Sequence, residues 1–157
     1  MDKDNLENEI KIELENIERL LNEAKGLIEK INNEPDFIET RAAGSILHDF
    51  YCGIEKIFER IAVGVDKSLP TGENWHAELL FQMGKPLKDV RGKVITSEIM
   101  STLKEYMRFR HLFRHIYGFE LKWERFKDLF LRIEDTFKEL TSEIEKFLKK
   151  LQHGSSY

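Results

Sequence analysis

The segment from residue 108 to 117 carries the residues of this chain whose types and spacing could do acid–base chemistry on a phosphate. Within eight residues it contains Arg110, His111, Arg114, His115 and Tyr117. Histidine transfers protons near neutral pH because its unperturbed pKa is about 6.5. Arginine stays charged, and its planar guanidinium donates two parallel hydrogen bonds to phosphate oxygens. Arg110 and His115 therefore supply the minimum set for metal-free RNA cleavage, which needs a base, an acid and a cation.

The spacing of these residues places them on one side of a predicted helix. Counting about 100° per residue from Arg110, Arg114 falls at about 40°, His111 at about 100°, His115 at about 140° and Tyr117 at about −20°. The apolar residues of the segment fall on the other side, at about 200–300°; they are Phe109, Leu112, Phe113 and Ile116. We therefore predict one exposed polar face, with Arg110 and His115 flanking a groove that another surface must close.

Apolar residues recur at three- and four-residue spacing along most of the chain, which predicts the helices that would hold this segment. The predicted helices cover residues 3–33, 36–69, 75–83, 96–117 and 123–151. Thr96 or Ser97 could cap the fourth helix, and Pro70 to Gly72 form a clear break. No stretch alternates as a strand would. We predict an all-α, four-to-five-helix up-down bundle. It forms one domain over residues 1–157, with a loop and short-helix insert at about 70–95.

The composition is typical of a globular protein in a reducing environment. Of its 157 residues, 34% are charged and 41% hydrophobic. No stretch approaches the roughly 18 apolar residues of a membrane span, and the amino-terminal residues lack the pattern of a signal peptide. A single cysteine, Cys52, cannot form an internal disulfide. We therefore expect a cytoplasmic protein without a membrane partner.

Charge is distributed unevenly along the chain. The net charge of −4 argues against indiscriminate nucleic-acid binding. Residues 1–40 contain 12 acidic and 5 basic residues, whereas residues 104–127 contain 7 basic and 3 acidic ones. This difference predicts a local positive patch, in which Arg108 and Arg114 would bind RNA phosphates. For the charge runs, the alternative is ordinary solvated helix faces. For Arg110 and His115, the alternative is that the basic face docks on the acidic helices of its own chain.

The two histidines of the segment allow a second interpretation. His111 and His115 are four residues apart and could bind a metal from one helix face. Such a site would need ligands from the second predicted helix, where His48, Asp49 and Glu55 are the candidates. We expect no metal or other cofactor. Asp49 and Glu55 are instead predicted to support the site by holding its arginine or a histidine in place.

Other polar and aromatic residues are predicted to pack. Trp75 would be a packing anchor, with His76 beside it on the surface. Cys52 would fill a small space in the core or at an interface. Tyr51 and Tyr106 are also expected to be packing residues.

The order of residues in the segment resembles the signature of the HEPN superfamily, and of HepT-like proteins in particular. That signature is an arginine, a polar residue, three further residues and a histidine, often followed by x-Tyr. Here these positions are Arg110, His111, residues 112–114, His115 and Tyr117. The resemblance covers the second, fourth and fifth predicted helices better than the first helix or the insert. It implies a HEPN-like bundle and a homodimer whose second subunit closes the groove.

The resemblance also implies an activity and a partner. It implies a metal-independent endoribonuclease in which Arg110 binds the scissile phosphate, His115 is the acid and base, and His111 supports them. Such a protein would be the toxin of a type VII-like toxin–antitoxin pair. Its cognate minimal nucleotidyltransferase antitoxin would silence it by transferring AMP to Tyr117. The alternative is a non-catalytic helical binding module, either RNA-binding or the partner subunit of a nucleotidyltransferase.

Overall fold

A computed structural model describes residues 3–154, and its regular structure is helical. The six α-helices of this range are α1 Lys3–Lys30, α2 Phe37–Ile61, α3 Trp75–Met83, α4 Ser97–His115, α5 Trp123–Leu131 and α6 Ile133–Gln152. The range contains no strand, and extended backbone pairs only at one isolated bridge between Leu87 and Arg91. The predicted all-α bundle is therefore confirmed. None of the helices described is both long and apolar enough to cross a membrane.

Helix α2 lies at the centre of the bundle, with α1, α3, α4 and α5 packed around it. Most of its large apolar side chains after the first turn are fully buried; they include Leu47, Phe50, Ile54, Ile57 and Phe58. Burying each such side chain contributes about 1.5–3 kcal/mol to folding. A Cβ at Gly53 would lie 2.8 Å from Cγ1 of Ile17, so this glycine allows α1 to approach α2 closely.

Side-chain caps fix the starts of the two helices that carry the candidate site. Asp36 and Glu39 form a capping box at α2, in which each carboxylate accepts a hydrogen bond from the other's backbone N–H, at 2.8 and 2.9 Å. The Thr96 hydroxyl caps α4 by accepting from the Ile99 N–H at 3.2 Å. Each cap satisfies a backbone donor that the first turn leaves unpaired. The predicted start of the fourth helix is therefore confirmed.

Four predicted helix boundaries were wrong. Helix α1, predicted to reach residue 33, ends at Lys30. The α-helical part of α2 ends at Ile61, and a π-helical turn, Ala62–Asp66, continues it to Lys67, whose φ of 58° ends the helix. Helix α4 ends at His115 because Ile116 is extended, with φ −124° and ψ 161°. The last predicted helix divides into α5 and α6 at Arg132, whose φ and ψ are −94° and 3°.

The connection between α3 and α4 is fixed by a buried arginine that the sequence analysis did not single out. Arg91 has no exposed surface, and its guanidinium binds both carboxylate oxygens of Asp66, at 2.6 and 2.8 Å. It also donates to the carbonyl oxygens of Gln82, Lys85 and Gly92. Asp66 belongs to the π-helical turn, so this ion pair holds the connection against the end of α2.

That residues 1–157 form a single domain stays a prediction.

Candidate active site

Arg110 lies inside the bundle, and the prediction that it belongs to an exposed face was wrong. The residue is 8% exposed. It continues the buried stripe of Ile99, Leu103 and Tyr106 along α4, at spacings of four, three and four residues. Leu112, which was predicted to face the core, is 46% exposed. The apolar residues of the first three turns orient α4 toward α2, and this orientation carries Arg110 inward.

Helix α2 provides the polar partners that make a buried arginine tolerable. The Nε of Arg110 donates to the Cys52 Sγ at 3.3 Å and lies 3.6 Å from Oε1 of Glu55. Its Nη1 and Nη2 donate no hydrogen bond to any residue in the described range. The guanidinium is therefore anchored through Nε, and its two terminal amino groups remain available for another acceptor.

Glu55 connects Arg110 to a histidine of α3. The Nδ1 of His76 donates to Oε2 of Glu55 at 2.6 Å, and the Glu55 side chain is 5% exposed. A buried carboxylate is costly unless it is paired, and Glu55 has a cationic or hydrogen-bonding partner at each oxygen. His76 was predicted to be a surface histidine. Its ring instead packs against Trp75, with a centroid distance of 3.7 Å, and holds Glu55 in place.

These partners belong to a polar stripe along α2, which we call the α2 polar stripe and define as His48, Cys52, Glu55 and Glu59. Its residues are four, three and four positions apart, so they follow one side of the helix. The His48 Nε2 lies 3.7 Å from the Cys52 Sγ. Burial, followed by repulsion from Glu55, raises the pKa of Glu59. The spacing of this stripe was the sequence signal that could have predicted a buried polar contact with α4.

Asp49 and Tyr51 flank this stripe without contacting Arg110 through a hydrogen bond. Asp49 is exposed, and its Oδ1 accepts from Nδ1 of His48 at 3.1 Å. The Tyr51 hydroxyl is buried and has no hydrogen-bond partner among the described residues. Burial, with a further contribution from the negative charge of Glu55, raises the pKa of Tyr51 above its ordinary value. Of the two predicted supporting carboxylates, the structure thus brings Glu55 to the arginine and Asp49 to a histidine.

His111 and His115 lie exposed on the last turn of α4. The Nδ1 of His115 is 2.7 Å from the carbonyl oxygen of His111. A carbonyl oxygen only accepts, so Nδ1 carries a proton and Nε2 of the neutral ring has a free lone pair. The two rings are also in contact, with centroids 4.3 Å apart. His115 is therefore oriented to exchange a proton at Nε2, and His111 supplies the backbone oxygen that orients it.

The remaining predicted residues surround this helix end. Arg108, Arg114 and Tyr117 are exposed. Neither arginine forms an ion pair with a carboxylate in the part of the chain that the structure describes. The alternative in which the basic face docks on acidic helices of its own chain therefore holds for Arg110, through Glu55, but not for Arg108 or Arg114. Tyr117 lies two residues beyond the end of α4 and is 70% exposed.

The predicted site residues do not belong to the cavity beside α1 or to a group of metal ligands in the described range. A cavity of about 520 Å³ lies between α1 and the end of α2, and none of the predicted site residues lines it. Within residues 3–154, no group of three or more His, Cys, Asp or Glu side chains is arranged to hold a metal ion. The pair His111 and His115 thus has no third protein ligand in this range.

Comparison with known proteins gives one match. A family model described as HepT-like protein matches residues 42–151, which is more than half of the chain. The matched range begins within α2, ends within α6 and includes the whole segment from Arg110 to Tyr117. Neither the search of curated proteins nor the search of solved structures found a match.

Proposed function

Because the chain belongs to the HepT-like family, we propose that it is an endoribonuclease that cuts RNA with Arg110 and His115 and needs no metal. The observation that carries this proposal is the family match across both residues, which confirms the resemblance inferred from their order. The arrangement of the two side chains supports it. They are five residues apart on α4, which corresponds to about 7.5 Å along the helix axis and about 140° around it.

Arg110 is suited to hold a phosphate. Its Nε donates to Cys52 and lies beside Glu55, while Nη1 and Nη2 donate no hydrogen bond in the described range. A guanidinium that is held at one edge presents its remaining donors in a fixed geometry and loses little side-chain entropy on binding. In the proposed reaction these donors bind the scissile phosphate and stabilise the charge that develops on its oxygens.

His115 is suited to move the protons. The ribose 2′-hydroxyl oxygen attacks the neighbouring phosphorus, the bond from phosphorus to the 5′-oxygen breaks, and a 2′,3′-cyclic phosphate forms. The Nε2 of one neutral His115 takes the 2′-hydroxyl proton, and a protonated His115 returns a proton to the leaving 5′-oxygen. Two chains of a homodimer supply the two histidines, and the second chain closes the groove beside the exposed end of α4. His111 orients His115, and Arg108 and Arg114 attract the RNA backbone.

The biological setting is also part of the proposal. We place the protein in the cytoplasm as the toxin of a type VII-like toxin–antitoxin pair. The exposed Tyr117 phenol is accessible to a cognate minimal nucleotidyltransferase. The phenol oxygen attacks the α-phosphorus of ATP, pyrophosphate leaves, and AMP remains on the tyrosine. The added bulk and negative charge would then block the RNA phosphate from the site.

The activity is tested by incubating a mixed RNA pool with purified protein in EDTA. We expect the wild type to cut the RNA, and Arg110→Ala and His115→Ala to lose cleavage by at least about 100-fold, a typical contribution of one group that stabilises developing charge or of one acid–base group. Exposed His153, which directly follows α6, gives a matched control, and His153→Ala should cut like the wild type. Absence of wild-type cleavage, or full activity of both site variants, would overturn the proposal.

One observation favours a second function, that of a non-catalytic binding module. Arg110 is 8% exposed and pairs with Glu55, as a purely structural arginine would. Under that function, Arg110→Ala would destabilise the fold, RNA would bind without being cut, and His115→Ala would change nothing.

Mass spectrometry of protein co-expressed with the nucleotidyltransferase tests the partner separately. AMP on the wild type but not on Tyr117→Phe would support the pairing.

A further inference from the structure

Two exposed aromatic rings lie parallel on the turn that follows α4. The ring centroids of Tyr117 and Phe119 are 5.2 Å apart, and their planes differ by 8°. The two residues are 70% and 63% exposed. Large aromatic side chains usually contribute to the core, where burial stabilises them. A parallel pair on the surface instead leaves an apolar π face in contact with water.

The backbone of this turn is firmly held, so the two rings have a fixed base. The Glu120 carboxylate accepts from the Tyr117 N–H at 2.9 Å, and the Glu120 N–H donates to the Tyr117 carbonyl at 2.9 Å. The Leu121 N–H donates to the Gly118 carbonyl at 3.1 Å. The carboxylate of Glu120 is thus engaged with the backbone beside the rings.

A cation from α2 lies against Gly118, the residue that separates the two aromatic residues in the sequence. The Arg41 guanidinium lies so close to Gly118 that a Cβ at that position would collide with it. The Cζ of Arg41 is also 4.5 Å from the ring centroid of Phe37. Neither Arg41 nor Arg114 forms an ion pair with any carboxylate in residues 3–154. The residue between the two rings is therefore in contact with the Arg41 guanidinium, which forms no ion pair with a described carboxylate, while the Glu120 carboxylate on the same turn is held by the Tyr117 N–H.

We propose that the Tyr117–Phe119 ring pair is a stacking platform for a base of single-stranded RNA, with Arg41 and Arg114 binding the adjoining phosphates. Every nucleobase has a π face, so stacking on an aromatic ring captures single strands with little sequence preference. Apolar area alone would suit a protein partner, whereas the Arg41 guanidinium against Gly118 adds positive charge that complements a polyanion. The inference rests on the proposed function, because it names how the substrate is held beside His115.

Binding of a short single-stranded DNA oligonucleotide, followed by fluorescence anisotropy, tests the platform apart from cleavage. DNA lacks the 2′-hydroxyl, so it can bind but cannot be cut by the proposed reaction. Phe119→Ala should weaken binding by on the order of 5- to 100-fold, the effect of losing one stacked base. Phe119→Leu should weaken it similarly, because leucine keeps apolar area but no π face. Phe119→Trp should bind as tightly as the wild type or more tightly.

Two controls separate stacking from charge and from general surface effects. An abasic oligonucleotide has the same phosphates but no base, so its affinity should be equal for the wild type and Phe119→Ala. Phe81 on α3 is 50% exposed, its ring centroid lies 3.8 Å from the Lys85 Nζ, and no aromatic ring of residues 3–154 stacks on it. Phe81→Ala should therefore bind like the wild type.

Three outcomes would overturn the platform. One is unchanged oligonucleotide affinity in Phe119→Ala. Another is an equal loss of affinity for the abasic strand. The third is sedimentation showing that Phe119→Ala dissociates a homodimer while Phe119→Leu does not, which would assign the rings to self-association. If the wild type cuts RNA but any of these holds, the platform fails while the ribonuclease stands. If the platform is confirmed but no RNA is cut, the ribonuclease fails alone.

Discussion

Oε1 of Glu55 on α2 lies 3.6 Å from Nε of Arg110 on α4, and neither side chain is more than 10% exposed. Oε2 of the same carboxylate accepts from His76 on α3. Glu55 thus joins three helices at the residue that is proposed to bind phosphate. Removing one partner of a buried pair leaves an uncompensated charge, which costs far more than losing a surface pair.

Glu55→Ala is expected to lower the free energy of unfolding by about 3–5 kcal/mol, because Arg110 and His76 would both lose their buried partner. Asp49→Ala is the matched control on the same helix. Its carboxylate is 54% exposed and pairs with His48, so the expected change is about 0–1 kcal/mol. Urea denaturation followed by circular dichroism measures both. Equal losses in the two variants would show that Glu55 is not a buried anchor.

Glu55→Gln tests whether the same contact positions Arg110 for catalysis. The amide keeps the shape of the side chain but not its charge, so the folded protein should persist with a less firmly held guanidinium. We expect RNA cleavage to fall while Asp49→Asn cuts like the wild type. Steady-state kinetics should show a lower kcat as well as a higher KM, since positioning acts on the transition state. Wild-type kinetics in Glu55→Gln would show that the charge of Glu55 does not position Arg110 for catalysis.

Arg91→Ala is expected to destabilise the protein by about 3–5 kcal/mol, because Asp66 would be left buried without its cation. The exposed pair of Arg132 and Glu105, with side chains 46% and 48% exposed, provides the comparison. Arg132→Ala should cost about 0–1 kcal/mol. Hydrogen exchange should also speed up in residues 84–95 of the Arg91 variant. Unchanged exchange there would mean that other contacts hold this connection.

Stability should fall in alkaline solution because of two buried tyrosines. Burial raises the pKa of Tyr51 and of Tyr106 above the ordinary value of about 10. Above pH about 10 the unfolded chain loses these protons while the folded chain retains them, so unfolding becomes progressively easier. Below that pH both states keep the two tyrosine protons, so this loss of stability is absent. Denaturation at increasing pH should show a shallower decline in Tyr51→Phe and in Tyr106→Phe, and identical slopes would contradict this assignment.

At neutral pH the same two substitutions should differ. The Tyr106 hydroxyl donates to the Leu129 carbonyl at 2.7 Å and lies 3.2 Å from the Thr136 hydroxyl. Tyr106→Phe should therefore cost about 0.5–1.5 kcal/mol. The Tyr51 hydroxyl has no partner among the described residues, so Tyr51→Phe should be neutral or stabilising. Thermal unfolding of the two variants measures the difference. A greater loss in Tyr51→Phe would contradict a Tyr51 hydroxyl without a hydrogen-bond partner.

The sequence predicted the class of fold because apolar spacing survives in every long helix, and Thr96 showed where α4 begins. It did not predict the orientation of Arg110, because the angular position of a residue on one helix says nothing about the partner helix. The sequence contains two periodic signals that meet only in the folded structure. The buried stripe of α4 reaches Arg110, and the α2 polar stripe provides Cys52 and Glu55 opposite it.

The surface around the site could be predicted only in part. The exposed positions of His111, His115 and Tyr117 follow from the polar character of the helix end. The contact of Arg41 with Gly118 joins residues far apart in the chain, and no local pattern indicates it. The parallel stacking of Phe119 on Tyr117 depends on the extended backbone at Ile116, where the sequence predicted continued helix.

The central claim is that His115 moves protons while the 2′-hydroxyl attacks the phosphorus. The most direct test is end-group analysis of RNA cut in EDTA by the wild type, His115→Ala and the control His153→Ala. We predict fragments ending in 2′,3′-cyclic phosphate and 5′-hydroxyl from the wild type and the control, and none from His115→Ala or from 2′-O-methyl RNA. Fragments with 3′-hydroxyl and 5′-phosphate ends, or undiminished cutting by His115→Ala, would contradict the claim.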